Sequence, residues 1–221
     1  MSKAPKQGVK NKTAAASPGG MEVSIKSMAV AGVPDLPEKR EEKACGPPAK
    51  ARLLENKIQV KKAFGGLEER SYGKASAAGL ELSFVEALYL LERGRIILSK
   101  GPVKTGFTAL MHHAAGRDQR IHEKYAVYRD LRDRGLVVKT GFKFGCDFRV
   151  YQRGVGVRRG PKSAGEHTKW IVFTVPEDYT CAFQELSRAV RLAHSIRARM
   201  LWAIVDNEND ITYYEVVRVR P

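Results

Sequence analysis

The sequence has few cysteines and no long apolar run, and both absences exclude classes of protein. Its three cysteines, Cys45, Cys146 and Cys181, are odd in number, widely spaced and without a Cys-x-x-Cys pair. We therefore expect neither a disulfide framework nor a zinc site, and a reducing compartment fits best. No apolar stretch approaches the ~20 residues that cross a bilayer, and the N-terminus lacks the apolar segment of a signal peptide. A soluble, cytoplasmic protein is expected.

Metal ligands and repeats are also scarce. The adjacent His112 and His113 are the nearest approach to a metal pair, but no carboxylate or cysteine cluster accompanies them, so surface histidines are the better interpretation. We predict no metal and no cofactor. No internal repeat at a fixed period relates the two halves of the chain.

Positive charge is abundant. The chain of 221 residues has 39 Lys and Arg against 24 Asp and Glu, which gives a formal net charge of +15 and a pI near 9.9. A polyanionic partner is the first expectation, although a solvated basic surface would give the same composition.

The composition changes along the chain near residue 50. Residues 1–50 are rich in Lys, Ala, Gly and Pro with little apolar periodicity, which predicts a disordered basic tail. We interpret residues 51–117 as a small N-terminal α/β domain and residues 118–221 as a mixed-sheet C-terminal domain. The predicted fold class is α/β, of the α+β type.

Periodicity and end signals locate the main elements. Residues 79–93 read as one amphipathic helix, with a possible capping box between Ser83 and Glu86. A second helix is expected over 120–134, ended by Gly135. Further strands and a third helix follow in the C-terminal domain. The expected strands are 136–139, 147–152, 170–175, 201–205 and 211–219, and the expected helix is 184–198.

Tyr151 and His167 stand at the ends of two neighbouring predicted strands in this basic chain. One such group can take the proton of a ribose 2′-hydroxyl, and the other can protonate the departing 5′-oxygen. A nearby cation would stabilise the phosphorane between these steps. Arg149, Arg153 or Lys169 could make ionised Tyr151 easier to reach. Taken alone, an ordinary strand-end tyrosine and a loop histidine remain the simpler interpretation.

Five segments stand out within residues 51–221: GLELSFVEALYLLERG at 79–94, YAVYRDLRDRG at 125–135, KTGFKFGCDFRVY at 139–151, LSRAVRLAHS at 186–195 and VDNENDITYY at 205–214. Together, and in this order, they resemble the archaeal-type tRNA-splicing endonucleases, the tRNA-intron endonuclease family. The resemblance implies a Tyr-His-Lys catalytic triad, to which Tyr151 and His167 correspond. It also implies metal-independent cleavage at bulge-helix-bulge structures, leaving 2′,3′-cyclic phosphate and 5′-hydroxyl ends.

The third member of that triad is missing from this chain. Ala198 stands where the resembled family has its lysine, within His194-Ser-Ile-Arg-Ala-Arg199. A substitute charge from Arg197 or Arg199 is one possibility. On the predicted helix, adjacent residues point about 100° apart, so neither would simply replace the lysine. Reduced activity and an inactivating substitution are the other two possibilities.

The resemblance also implies RNA contacts and an oligomer. Arg191 matches a position that grips a flipped-out base, and Tyr213 is a weaker candidate for the opposite position. The alternative for Arg191 is a solvent-facing helix charge. The basic, Gly-rich residues 152–166 are interpreted as an RNA clamp or a flexible insertion.

The acidic turn at residues 206–210 is expected to dock into another subunit, or to be acidic for local reasons of the turn. A homotetramer or an α2β2 assembly with a related subunit follows, with the final strand pairing across a two-fold axis.

Three functions remain open. The first is an RNA endonuclease that excises introns from precursor tRNA. The second is a catalytically impaired RNA-binding subunit that supports an active partner. The third is a generic basic RNA-binding protein whose Tyr151 and His167 are incidental.

Overall fold

The computed structural model describes residues 36–39, 46–61, 66–157 and 166–219. These residues form two mixed sheets and four helices, which confirms the α+β class. The elements of the first half are β1 (Ala49–Leu53), β2 (Ile58–Val60), β3 (Lys74–Ser76), β4 (Gly79–Leu82), α1 (Phe84–Glu92), β5 (Ile96–Lys100), β6 (Val103–Lys104) and α2 (Phe107–Ala115). Those of the second half are α3 (Ile121–Asp133), β7 (Val137–Thr140), β8 (Phe148–Tyr151), β9 (Trp170–Pro176), α4 (Phe183–Ser195), β10 (Arg199–Val205) and β11 (Ile211–Val216).

The first sheet has six strands in the order β3-β4-β2-β1-β5-β6. Strand β1 pairs with β5 in parallel, and the other neighbours are antiparallel. In β1 the buried residues Ala49, Ala51 and Leu53 alternate with exposed ones, the pattern of a strand with one face on the core. Strand β1 thus begins at Ala49, just inside the predicted tail.

Helix α1 begins at the predicted capping box, but the single helix expected over residues 79–93 is wrong at its start. Ser83 accepts a hydrogen bond from the Glu86 backbone amide, and the Glu86 carboxylate accepts one from the Ser83 backbone amide. The residues before Ser83 form β4, with Leu80 and Leu82 buried. Gly79 has a φ of +128°, and a side chain there would clash with the Val60 carbonyl. Pairing with β2 therefore makes residues 79–82 a strand instead of the first turn of the helix.

The second sheet has five strands in the order β11-β10-β9-β8-β7, with a helix on each side. We call the side packed against helix α3 the α3 face and the side packed against helix α4 the α4 face. The α3 face is covered by the main hydrophobic core, through Phe148, Val150, Trp170, Val172, Leu201, Ala203 and Val205. The α4 face has a smaller cluster, formed by Ile171, Val175, Met200 and Trp202 with Ala189, Val190 and Ala193 of α4.

The main core runs through both halves of the chain. It joins residues of the first sheet, α1 and α2 to α3 and the α3 face. The boundary proposed at residue 117 falls between α2 and α3. The main hydrophobic core contains residues from both sides of this boundary.

Part of the predicted tail packs on this body. Leu36 lies against the main core, and Lys39 forms a 2.9 Å ion pair with Asp130. Arg134 donates to the Pro37 carbonyl at 3.2 Å. Residues 1–35 and 40–45 of the predicted tail lie outside the described residues. Within the described part of the chain, no helix is long and apolar enough to cross a membrane.

Candidate active site

Strand β8 ends, and strands β9 and β10 begin, at the same end of the second sheet. This arrangement brings together positions that are far apart in sequence. Arg149 pairs with Ile171 and Val150 with Trp170 between β8 and β9, so Tyr151 directly follows the paired part of β8 and Lys169 directly precedes that of β9. Arg199 pairs with Trp170 between β10 and β9, which sets Ala198 beside Lys169. Two backbone hydrogen bonds hold this edge. The Lys169 amide donates to the Val150 carbonyl at 2.8 Å, and the Arg199 amide donates to the Lys169 carbonyl at 2.9 Å.

The same register determines which face of the sheet each position occupies. Directly paired residues share a face, and successive residues of a strand alternate between faces. Tyr151 and Ala198 therefore align with Ile171 and Met200 on the α4 face. Lys169 departs from this alternation, because its amide bonds to β8 while its carbonyl bonds to β10, and its ammonium lies 4.1 Å from the centre of the Trp170 ring on the α3 face. Ala198 packs at the edge of the smaller hydrophobic cluster, as this assignment requires.

Tyr151 and His167 differ sharply in exposure. The Tyr151 side chain is fully buried at the end of β8. His167 is exposed in the short turn before β9. The two residues thus lie near the same sheet edge, since His167 precedes Lys169 by two positions. Much of the connection between them, residues 158–165 of the predicted clamp, lies outside the described residues.

The helix predicted over residues 184–198 is too long at its C-terminal end, because the segment before β10 is a turn. Helix α4 ends at Ser195, Arg197 adopts a left-handed φ of +57°, and β10 begins at Arg199. The Arg197 amide donates to the His194 carbonyl at 3.1 Å, and the Ala198 amide donates to the Ala193 carbonyl at 2.9 Å. This is the Schellman pattern, in which the left-handed position usually holds glycine.

This helix end changes the interpretation of the two arginines that flank Ala198. Arg199 is the first residue of β10, so its side chain points to the opposite face of the sheet from that of Ala198. The separation of about 100° expected on a helix does not apply. Its guanidinium pairs with Glu215 at 3.2 Å, and the Glu215 carboxylate also accepts from the Trp170 indole at 3.3 Å. Arg199 therefore lies on the α3 face with an internal partner. Arg197 is exposed at the turn.

The predicted RNA contacts Arg191 and Tyr213 have very different surroundings. Arg191 is exposed on α4 and donates to the Ser187 carbonyl one turn earlier, at 3.3 Å. The Tyr213 hydroxyl donates to Asp130 of α3 at 2.9 Å, and burial followed by the Asp130 charge raises the pKa of Tyr213. Tyr213 thus faces inward. Its neighbour Tyr214 pairs with Trp202 on the α4 face and is 54% exposed.

The loop that follows Tyr151 is held by contacts with distant parts of the chain, a feature that the sequence did not reveal. The Ser71 hydroxyl accepts from the Val157 amide at 3.1 Å and donates to the Val155 carbonyl at 3.4 Å. Arg153 donates to the Arg134 carbonyl at 2.8 Å and to the Glu38 carbonyl at 2.7 Å. Arg153 is therefore committed to backbone partners. The left-handed φ of +59° at Ser71 is not detectable from residue type.

A second tie between the halves involves Lys139 of β7. Its ammonium donates to the Gly73 carbonyl at 2.5 Å and lies 3.9 Å from Glu86. Burial lowers the pKa of Lys139, against the opposing effect of Glu86. Lys139 is thus a half-buried structural cation.

The acidic turn at residues 206–210 is partly explained by its own hydrogen bonds. The Asp206 carboxylate accepts from the backbone amides of Glu208 and Asp210, at 2.9 and 2.8 Å. Asn209 takes a left-handed φ of +67°, which asparagine tolerates. Asp206 therefore has a local role, whereas Glu208 and Asp210 are exposed.

No group of three metal-ligating side chains occurs among the residues that the structure describes. His113 of the predicted surface pair stacks edge-on against Phe84, with ring centroids 5.8 Å apart, and is only partly exposed. Its neighbour His112 is exposed.

Comparison with known proteins shows the class of protein to which this chain belongs. A family model described as the tRNA intron endonuclease catalytic C-terminal domain matches residues 121–213. A second model, for the N-terminal domain of the same enzymes, matches residues 49–111. The chain is thus an endonuclease by its domains.

Curated relatives agree with both models. The chain is similar to the tRNA-splicing endonuclease of Thermococcus gammatolerans, with 43% identity over 72% of this chain and 89% of the relative. That of Thermococcus kodakarensis is 42% identical over the same shares. The Methanothermobacter thermautotrophicus enzyme is 40% identical over 68% of this chain and 84% of the relative. This chain belongs to the tRNA intron endonuclease family, and the resemblance seen in the sequence is confirmed.

Proposed function

We propose that this chain cleaves precursor tRNA at intron boundaries within a bulge-helix-bulge structure. The observation that supports the proposal most is the convergence of Tyr151, His167 and position 198 at one edge of the second sheet, in a chain that belongs to this family. Recognition by shape suits the substrate, because the major groove of A-form RNA is too deep and narrow for side chains to read. A cytoplasmic location is part of this proposal.

Tyr151 is the proposed base and His167 the proposed acid. The ribose 2′-oxygen attacks the adjacent phosphorus while its proton passes to ionised Tyr151. The bond from phosphorus to the 5′-oxygen then breaks, and the His167 imidazolium donates a proton to that oxygen. The products carry a 2′,3′-cyclic phosphate and a 5′-hydroxyl. Since the Tyr151 ring is covered in the free chain, RNA binding must expose its hydroxyl.

Arg191 and Arg197 are the proposed RNA-binding cations on the α4 side. Both are exposed there, which suits contact with phosphates or stacking on an unpaired base. The sequence also assigned Tyr213 and Arg199 to RNA binding. Their internal partners Asp130 and Glu215 give that assignment no support. Tyr214 is the exposed aromatic residue nearest in sequence.

The proposed assembly is a homotetramer or an α2β2 complex with a related subunit. Strand β11 is at the end of the strand order of the second sheet, and Val217 and Val219 beyond it are 47% and 75% exposed. An edge of this kind favours pairing with another copy. Glu208 and Asp210 of the acidic turn remain available to a basic partner surface.

A second function deserves a test because of Ala198. A chain without the expected lysine could bind the RNA and support an active partner without cleaving. Membership of the endonuclease family argues against the third alternative, a generic basic RNA-binding protein.

Incubation of the purified full chain with a bulge-helix-bulge RNA in EDTA tests the proposal. We expect cuts at both bulges with cyclic phosphate ends, and none in RNA that carries 2′-deoxyribose at the cleavage sites. Tyr151→Phe and His167→Ala should each abolish cleavage while RNA binding persists. Tight binding of uncut RNA by the unaltered chain would instead support the second function. The mass of the complex distinguishes a homotetramer from a chain that awaits another subunit.

A further inference from the structure

We propose that Arg153 is a positioning residue for Tyr151, and that the segment before β1 takes part in this role. The inference rests on the proposed function and deepens it, because Tyr151 is the proposed base. Arg153 follows Tyr151 by two positions and is held by backbone carbonyls from two other parts of the chain.

The first anchor of Arg153 is the C-terminal end of helix α3. Its Nε donates to the carbonyl of Arg134, the residue that caps α3, at 2.8 Å. A cation is favoured there because the last carbonyls of a helix carry partial negative charge. Gly135 leaves the space that the guanidinium needs, since a Cβ at Gly135 would lie 2.9 Å from the Arg153 Nε. A side chain at position 135 would therefore displace Arg153.

The second anchor is a segment that we call the N-terminal arm, residues 36–39. The Arg153 guanidinium donates to the Glu38 carbonyl of this arm at 2.7 Å. A guanidinium has several N–H donors in a fixed plane, so one side chain can bond both anchors at once. The arm precedes the regions that match the two family models, 49–111 and 121–213. This anchor is therefore a feature of the chain in addition to the matched domains.

The N-terminal arm is itself attached to the body of the protein. Leu36 packs against the main core. The Pro37 carbonyl accepts from Arg134 at 3.2 Å, and Lys39 pairs with Asp130 at 2.9 Å. These contacts flank the carbonyl that accepts from the guanidinium, so they hold that carbonyl in place.

The short spacing between Arg153 and Tyr151 carries this restraint to the proposed base. Tyr151 is the last residue of β8 and pairs with Val137 of β7. Only Gln152 separates it from Arg153. The backbone of Tyr151 is thus restrained by a strand pair on one side and by the anchored guanidinium on the other. A reacting group misplaced by about 1 Å can cost about 100-fold in rate, so this restraint favours cleavage.

A pair of glycine variants tests the anchoring without removing a charge. Gly135→Ala fills the space beside the Arg153 guanidinium. Gly94→Ala is the matched control, because Gly94 also follows a helix and has a left-handed φ of +62°, close to the +75° of Gly135. A Cβ at Gly94 would meet no described atom within 4 Å. Both variants therefore introduce similar backbone strain, but only Gly135→Ala displaces Arg153.

Two variants of Arg153 separate its hydrogen bonds from its charge. Arg153→Met removes both hydrogen bonds, and Arg153→Lys keeps the charge without the planar donors. Three quantities are measured for each variant: the single-turnover rate on a bulge-helix-bulge RNA at saturating protein, the affinity for the same RNA with 2′-deoxyribose at the cleavage sites, and thermal unfolding. Rates are compared well below the unfolding temperature of every variant, so that a purely structural role leaves them unchanged.

We expect Arg153→Met and Gly135→Ala to slow cleavage at saturation by about 10-fold or more, the scale of a misplaced reacting group. Their RNA affinities should stay within about 2-fold of the unaltered chain, because no phosphate contact is lost. Gly94→Ala should cleave at nearly the unaltered rate. Arg153→Lys should be faster than Arg153→Met, since its ammonium can still donate to one of the two carbonyls.

Leu36→Asp tests the N-terminal arm, because it places a charge against the main core. We expect a smaller loss of rate than for Arg153→Met, since the anchor on α3 remains. Combined with Arg153→Met, Leu36→Asp should cost no further rate, because the arm acts through Arg153. A further loss of the same size in the double variant would contradict the role of the arm.

Other results would contradict the proposal in distinct ways. Cleavage by Arg153→Met at the unaltered rate would overturn the positioning role and leave the proposed function intact. Weaker RNA affinity with an unaltered rate at saturation would show that Arg153 contacts phosphate instead. Equal losses for Gly135→Ala and Gly94→Ala would show an effect of strain alone. If the unaltered chain binds the RNA without cutting it, the proposed function fails and the positioning role fails with it.

Discussion

The two faces of the second sheet are built for different purposes. The α3 face is closed by the main core, and the buried Arg132 of helix α3 contacts partners from both halves of the chain. The α4 face has a smaller cluster, and Tyr151 and Ala198 lie at its end near the exposed Arg191 and Arg197. One face therefore fixes the strand register, and that register positions chemistry on the other. The predictions below alter the two faces separately.

Replacing the buried guanidinium should have the largest effect. Arg132 lies 4.0 Å from the centre of the Tyr72 ring and donates to the Tyr128 hydroxyl and to the carbonyls of Ser71 and Val138. Arg132→Ala should lower the free energy of unfolding by about 3–5 kcal/mol, because it leaves a cavity and unpaired buried carbonyls. Chemical denaturation measures the loss.

Arg129→Ala is the control for that change. Arg129 belongs to the same helix but is 47% exposed, and its ion pair with Glu92 is 3.4 Å long. Its replacement should change stability by no more than about 0.5 kcal/mol. Equal losses for the two variants would contradict the closed character of the α3 face.

The next effect concerns Asp130, which ties α3 to β11 and to the residues before β1. It accepts from Tyr213 at 2.9 Å, and pairs with Arg134 at 2.7 Å and Lys39 at 2.9 Å. Asp130→Asn should cost about 2 kcal/mol, the value of hydrogen bonds to a charged group. Asp118→Asn, at a more exposed ion pair, should cost less than about 1 kcal/mol.

The cost of Asp130→Asn should depend on pH. Burial opposes ionisation of Asp130, but hydrogen bonds from Arg134, Lys39 and Tyr213 outweigh it and lower its pKa. The stabilisation is therefore complete above the unfolded pKa of about 3.9 and is lost as pH falls through the lower folded pKa. The difference between the two proteins should shrink below about pH 4. A difference that stays constant down to pH 2 would contradict this role.

On the open face, Arg191→Ala should weaken RNA binding by about 1–2 kcal/mol without changing thermal stability. The exposed Arg191 makes one described hydrogen bond, within its own helix. Arg52→Ala on β1 removes an equal charge from the first sheet and should have a smaller effect. Filter binding at fixed salt measures both, and equal losses would indicate a nonspecific charge effect.

The smallest effect is expected at the end of α4. Arg197→Gly should raise the free energy of unfolding by about 1 kcal/mol, because glycine adopts a left-handed φ without strain. It should also weaken RNA binding if Arg197 contacts phosphate. Asn209→Gly should stabilise less, since asparagine already tolerates this conformation. A destabilised Arg197→Gly protein would show that the arginine makes a stabilising contact.

Local signals predicted several elements and the main candidates of the site. The capping box of Ser83 and Glu86 located the start of α1, and the apolar spacing with Gly135 located α3. Family motifs identified Tyr151, His167 and the substitution at Ala198. These features were readable because each depends on residues close together in the chain. The role of each in cleavage stays a prediction.

Other features needed the assembled structure. Residues 79–82 looked helical, yet pairing with β2 made them a strand. Helix α4 stops at Ser195 because Arg197 adopts a conformation that residue type does not predict. The opposite directions of Arg199 and Ala198 follow from that stop.

The sequence by itself determined the family, the basic character and the residue types available for chemistry, because composition and motifs are properties of the chain. Only the tertiary structure decided which side chains share a face. Tyr213 points inward to Asp130, whereas its neighbour Tyr214 pairs with Trp202 on the α4 face and is exposed. The physical reason is that strand register is set by long-range pairing and core packing, and a shift of one residue would exchange the two faces.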